Sequence, residues 1–134
     1  TLFFRELGNR ASEDLEASRI LELTSYLEEH DSGDVGDRLE AWLHKYARAQ
    51  KNQGVEEDSR VQVIRETNPL YVFRNYIAQL AIDEAERGDF KMVNDLLDLY
   101  RNPYNEQAGQ SEHAQKRPEW ARTRVGCSML SCSS

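Results

Sequence analysis

The chain has 134 residues, one domain's worth, with a net charge of −7. That acidic balance argues against a nucleic-acid partner, because a phosphate-binding face needs a concentrated positive field, and the basic cluster Lys116, Arg117, Arg122 and Arg124 is short. No run approaches the ~20 apolar residues of a membrane span and no basic-then-apolar leader is visible, so a soluble, non-exported protein is expected.

In chain order, "TLFFRELG" predicts a short helix with Phe3, Phe4 and Leu7 on one side and Gly8 at its end. The first residue is Thr1 and not Met, which suggests a chain that starts inside a longer protein. Ser12 is a candidate N-cap, with Glu13 and Asp14 in the first turn, for a helix running to about His30 with Ile20, Leu23 and Leu27 on its buried stripe and Leu15 and Tyr26 at the margins. "DSGDVGD" breaks the pattern, and Asp34 or Asp37 would cap the next helix. There Leu39, Trp42, Leu43, Tyr46 and Ala47 recur at helical spacing up to Gly54. Glu56 to Glu66 reads as a further helix around Val61 and Ile64.

"TNPLYVFRNYIAQLAIDEAERGDF" is the most informative stretch. Asn68 is placed as the N-cap, Pro69 at the first helical position, and Gly88 at the left-handed exit. Leu70, Phe73, Ile77, Leu80, Ala81 and Glu84 trace a stripe, with Tyr76 beside it. Asp89 opens the next helix, whose buried face is read as Phe90, Val93, Leu96, Leu97 and Tyr100, ending at Pro103. The turn at "RGD" is so short that the two helices must pack antiparallel. Beyond Asn102 the periodicity vanishes into a polar strap anchored by Trp120. The expected fold is thus all-α: a helical bundle with an antiparallel hairpin over about 68–101 and an extended C-terminal tail. Residues 1–101 form the helical region and 102–134 the strap and tail.

Chemistry is sparse. His30, His44 and His113 are too scattered for a metal pair, "DSGDVGD" lacks the EF-hand register, and no glycine-rich phosphate loop is present, so no metal site and no catalytic residue is assigned. A small hydrolase would need a nucleophile beside a base, for which no spacing speaks. Arg74 and Asn75 interrupt an apolar helix and are read as a polar anchor to another part of a larger protein, against solvent-facing positions on the helix flank. Cys127 and Cys132 match neither a Cys-x-x-Cys redox motif nor a zinc knuckle. Two readings stand for them: tolerated terminal thiols, or a mobile thiol that closes a disulfide with a partner.

The ordered set "NPLYVFRNYIAQLAIDEAERGDF", "LYRNPYNEQ", "RPEW" and "SCSS", with "LEAWLHKYARAQ" and "LFFREL" upstream, resembles the C-terminal region of the selenoprotein O family, pseudokinase-like protein adenylyltransferases. The resemblance implies an enzyme that uses ATP and magnesium to transfer AMP to protein hydroxyls. Its kinase-like catalytic part would lie upstream and be the partner of this region through Arg74, Asn75 and Trp120. It implies a cytoplasmic location in bacteria and a mitochondrial one for eukaryotic relatives. It also matches Cys132 to a position occupied by selenocysteine in some members, thought to form a regulatory disulfide with the kinase-like part; Cys127 is a departure that leaves a local Cys127–Cys132 pair open. The alternative is a self-contained helical protein-interaction module. Under that reading Phe3 and Phe4 should be covered by the chain's own helices, and under the fragment reading they should not.

Overall fold

The structure is a computed structural model that describes residues 2–9, 11, 14–24 and 32–127. Among these, all regular elements are helical: α1 Leu2–Leu7, α2 Ala17–Thr24, α3 Ser32–Gln53, α4 Glu57–Thr67, α5 Asn75–Glu86, α6 Lys91–Arg101, and 3-10 turns at Ser111–Ala114 and Glu119–Arg122. The all-α class therefore holds. The chain packs as two compact units, residues 1–69 and 70–134.

In the first unit α1 packs on α2 and α4, and α2 packs on α3. Its core is Leu7, Leu15, Ala17, Ile20 and Leu43, flanked by Phe3, Leu39, Tyr46 and Ile64. Leu15 thus lies in the centre and not at the margin, while Leu23 is exposed. Ser12, Tyr26 and Leu27 lie outside the described residues. The start of α2 is satisfied from a neighbour: the Ala17 N–H donates to the Glu40 carboxylate of α3 at 3.1 Å, placing negative charge at the positive end of the helix.

Two sequence expectations fail at helix starts. Neither Asp34 nor Asp37 caps α3, since the helix already begins at Ser32 and runs through Gly33 and Gly36. Near a helix end the glycines cost only about 1 kcal/mol each, and Asp34 in the first turn offsets part of this through the helix dipole and an ion pair with Arg38 at 3.7 Å. Asn68 closes α4 and does not open α5: its backbone N–H and its side-chain Nδ2 both donate to the Ile64 carbonyl. Its extended backbone fits the restriction that Pro69 imposes on the preceding residue. Leu70 and Tyr71 then donate their N–H groups to the Pro103 carbonyl, so the chain stays extended until Arg74.

The second unit is the hairpin of α5 and α6 with the strap folded over it. Gly88, at φ +88°, ends α5 as the sequence suggests. Gly88 N–H bonds to the Ala85 carbonyl and Asp89 N–H to the Glu84 carbonyl, the paired closure of a Schellman motif. Asp89 then accepts the Lys91 N–H at 2.8 Å and so starts α6. The core is Tyr71, Tyr76, Ile77, Ala81, Leu96, Leu99, Ala121 and Cys127. The strap is held by Gln107, whose N–H donates to the Tyr71 hydroxyl at 2.9 Å and whose Nε2 donates to the Leu99 carbonyl at 3.0 Å, and by an Arg124–Asp83 ion pair.

The face of α6 was misassigned. Leu96 and Leu99 are buried and Met92 packs beside them, whereas Phe90, Val93 and Leu97 are exposed. Apolar residues surround this helix on two stripes, and the strap and α5 cover only one of them.

Candidate functional site

The uncovered stripe forms one wall of a groove in the second unit. Val93, Leu97 and Tyr100 of α6 face Ala78, Ala81, Ile82 and Ala85 of α5 across a groove of about 570 Å³, closed at one end by Phe73. Phe73 is 58% exposed and Leu97 53%, with Ile82 and Val93 also open to solvent. Apart from the Tyr100 hydroxyl, every side chain in its walls is hydrocarbon. The alanines form a smooth floor because they fall at i, i+3 and i+7 on α5.

Phe73 meets Tyr100 edge-on, with ring centroids 5.2 Å apart. The Tyr100 O–H donates to the Val72 carbonyl at 3.4 Å. Burial, with a further contribution from neighbouring Tyr76, pushes the Tyr100 phenol up to about 12, and the Arg74 charge opposes this. Arg74, the cap of α5 and the neighbour of Phe73, is half-buried, with Nη1 out of solvent and without a hydrogen-bond acceptor among the described residues. Asn75, the first residue of α5, is exposed.

Trp120 lies in the second 3-10 turn, packed edge-on against Tyr76 at 6.0 Å with the Arg124 guanidinium 5.8 Å from its ring centre, yet 46% exposed. It borders a smaller hollow of about 290 Å³ with His113 and Lys116. Cys127 is a free thiol buried in the core beside Ala121. Cys132 lies outside the described residues.

In the first unit Phe3, Phe4, Trp42 and Tyr46 form an aromatic run, with centroid separations of 5.5, 5.9 and 5.3 Å in that order along Phe4–Phe3–Trp42–Tyr46. Phe4 is 53% exposed and Trp42 is also open, so the pair Phe3 and Phe4 is not fully covered by the chain's own helices.

Among the described residues no three His, Cys, Asp or Glu side chains converge as metal ligands. No described helix is long and apolar enough to cross a membrane. The groove was missed from the sequence because Val93 and Leu97 have the helical spacing of core residues. Only knowledge of what the strap covers separates the two stripes.

The described residues form an all-helical segment with exposed apolar side chains in both units. No family model matches the chain. Over all 134 residues it is 43% identical to the protein nucleotidyltransferase YdiU of Azoarcus sp. (strain BH72). It is 44% identical over 135 positions to the YdiU protein of Aromatoleum aromaticum, and 46% over 110 residues, or 82% of the chain, to that of Xanthomonas oryzae pv. oryzae. The chain thus matches proteins of the YdiU/selenoprotein O family along its whole length, as its motifs indicated. It spans about a quarter of the length of these relatives, 25%, 25% and 21% respectively.

Proposed function

We propose that the chain is the C-terminal helical region of a protein nucleotidyltransferase that transfers AMP from ATP to protein hydroxyls, and that this region is itself non-catalytic. The observation that carries the reading is the identity of the whole chain to one quarter of proteins named for nucleotidyl transfer. In this reading ATP and magnesium bind in the upstream, kinase-like part, and the whole protein works in the cytoplasm on protein substrates. This region supports that part through its open apolar surfaces, with Arg74, Asn75 and Trp120 as its contacts. Open Phe4 favours this over the self-contained interaction module, under which the chain's own helices would cover Phe3 and Phe4.

Cys132 serves as the redox switch, pairing with a cysteine of the upstream part. Cys127 is a poorer candidate, because its sulfur would have to leave the core to reach any partner.

The test is AMP transfer from labelled ATP to a protein acceptor, run on the 134-residue chain and on the longer gene product, with and without reductant. Labelling by the longer protein alone, with a rate that responds to reductant until Cys132→Ser is introduced, is the expected result. Labelling by the 134-residue chain would place the active site here and overturn the proposal.

A further inference from the structure

We infer that the α5–α6 groove seats one apolar helix from the part of the polypeptide that the relatives have and this chain lacks, with a carboxylate or main-chain carbonyl of that helix accepting from Arg74. The inference rests on the reading of the chain as a region of a longer protein and goes further by naming the seat, the occupant and its polar anchor.

Three observations support it. The first is the groove's chemistry. Small-molecule sites combine apolar walls with a few convergent polar groups, whereas these walls are carbon except for one hydroxyl. An apolar trough between two helices, with an alanine floor that permits close backbone approach, fits the helix-in-groove mode of recognition. Exposed Phe73, Ile82, Val93 and Leu97 supply its rims.

The second is Arg74. Its buried Nη1 donor has no acceptor among the described residues, an unfavourable condition for a charged group that an incoming acceptor would relieve. It follows Phe73 in sequence and its charge acts on Tyr100, which puts it beside the Phe73–Tyr100 end of the groove though not in its lining, and an acceptor on a helix leaving that end would meet Nη1 once the side chain turns outward. A negative end group is favoured because the guanidinium is always charged.

The third is the identity of the occupant. About three quarters of each relative's length has no counterpart in this chain, which leaves ample polypeptide to supply a helix. A second copy is a poorer occupant. A two-fold contact would set this concave face against itself, and each chain carries a net charge of −7.

The experiment uses the longer gene product with the photoreactive residue p-benzoylphenylalanine at position 93. Irradiation is expected to give a cross-link within one polypeptide, mapped by mass spectrometry to an apolar helix outside the 134 residues. Leu97→Glu, an exposed position whose change should leave the hairpin folded, is expected to reduce that yield at least tenfold. A cross-link between two copies overturns the inference, as does a yield that Leu97→Glu leaves unchanged or no cross-link at all. The parent reading is scored separately by AMP transfer. A protein that cross-links as stated but transfers no AMP refutes the activity and keeps the seat, and one that transfers AMP without the cross-link refutes the seat alone.

Discussion

Arg5 of α1 and Arg60 of α4 each cap the other's helix. Arg5 Nη1 donates to the carbonyls of Arg65 and Asn68, at 3.0 and 3.2 Å, where α4 ends, and Arg60 Nη1 donates to the Leu7 carbonyl, where α1 ends. Both side chains are buried, and each satisfies C-terminal carbonyls that have no intrahelical partner while placing positive charge at the negative end of a helix dipole. Arg60 also bonds the Glu57 carboxylate at 2.7 Å and the Tyr46 hydroxyl at 3.3 Å, tying α3 into the same arrangement.

Arg60→Met is therefore expected to destabilise the first unit by about 1.5–3 kcal/mol, the range for a lost charge-assisted hydrogen bond that leaves buried acceptors unmet. Arg60→Lys should recover only part of the loss, since a point ammonium cannot span Glu57, Leu7 and Tyr46 as the guanidinium fork does. Urea unfolding of the three proteins checks this. Equal stability of the wild type and the methionine variant would show that water serves these carbonyls equally well.

Gly8 and Gly33 should respond oppositely to alanine. A Cβ on Gly8 would lie 2.7 Å from Ile64 Cγ2, and that methyl belongs to a β-branched side chain with little freedom to retreat. Gly8→Ala should cost about 1–3 kcal/mol, as overpacking does. Gly33, in the first turn of α3, has nothing within 4 Å of the same position, so Gly33→Ala should stabilise by about 0.5–1 kcal/mol through helix propensity. Denaturation midpoints of the two variants should move to opposite sides of the wild type.

What the sequence disclosed was set by local chemistry. Gly54 and Gly88 end helices because a left-handed residue is needed there, and the hairpin follows from the brevity of the turn between α5 and α6. The reciprocal Arg5–Arg60 arrangement was invisible, since it joins residues 55 positions apart and no periodicity marks an arginine as buried. Pro69 was misread for a related reason: the pattern Asn-Pro suits a helix start, but here the N–H groups of Leu70 and Tyr71 are claimed by the distant Pro103 carbonyl. Next to the groove, Arg74 was legible as a polar residue beside an apolar stripe. The exposure of Val93 and Leu97 was not, because it depends on the path of a strap that has no periodicity.

Tyr100 gives the chain an alkaline sensitivity of predictable sign. Its phenol ionises near 12 in the folded protein, held up chiefly by burial, against about 10 when unfolded. Between those values the folded state binds more protons than the unfolded state, so stability falls as pH rises, and the contribution is complete only below about pH 10. Tyr100→Phe cannot ionise and should lose less stability than the wild type over that window. Unfolding curves of both proteins at pH 9 to 12 provide the comparison, and parallel losses would mean that the hydroxyl is already well hydrated.

Cys127 should behave as a structural thiol. It is 3% exposed, packed in the core with Ala121, and its backbone N–H bonds to the Arg124 carbonyl. Reaching its sulfur requires the end of the strap to lift, so modification must wait for local opening. In a Cys132→Ser background, where Cys127 is the only thiol, labelling by a thiol reagent should be at least roughly a hundredfold slower under native conditions than in urea. Asp83→Asn, which removes the Arg124 ion pair anchoring the strap to α5, should accelerate native labelling while leaving the rate in urea unchanged. Fast native labelling of the parent would mean that the strap opens freely, and Cys127 would then compete with Cys132 as a redox-active thiol.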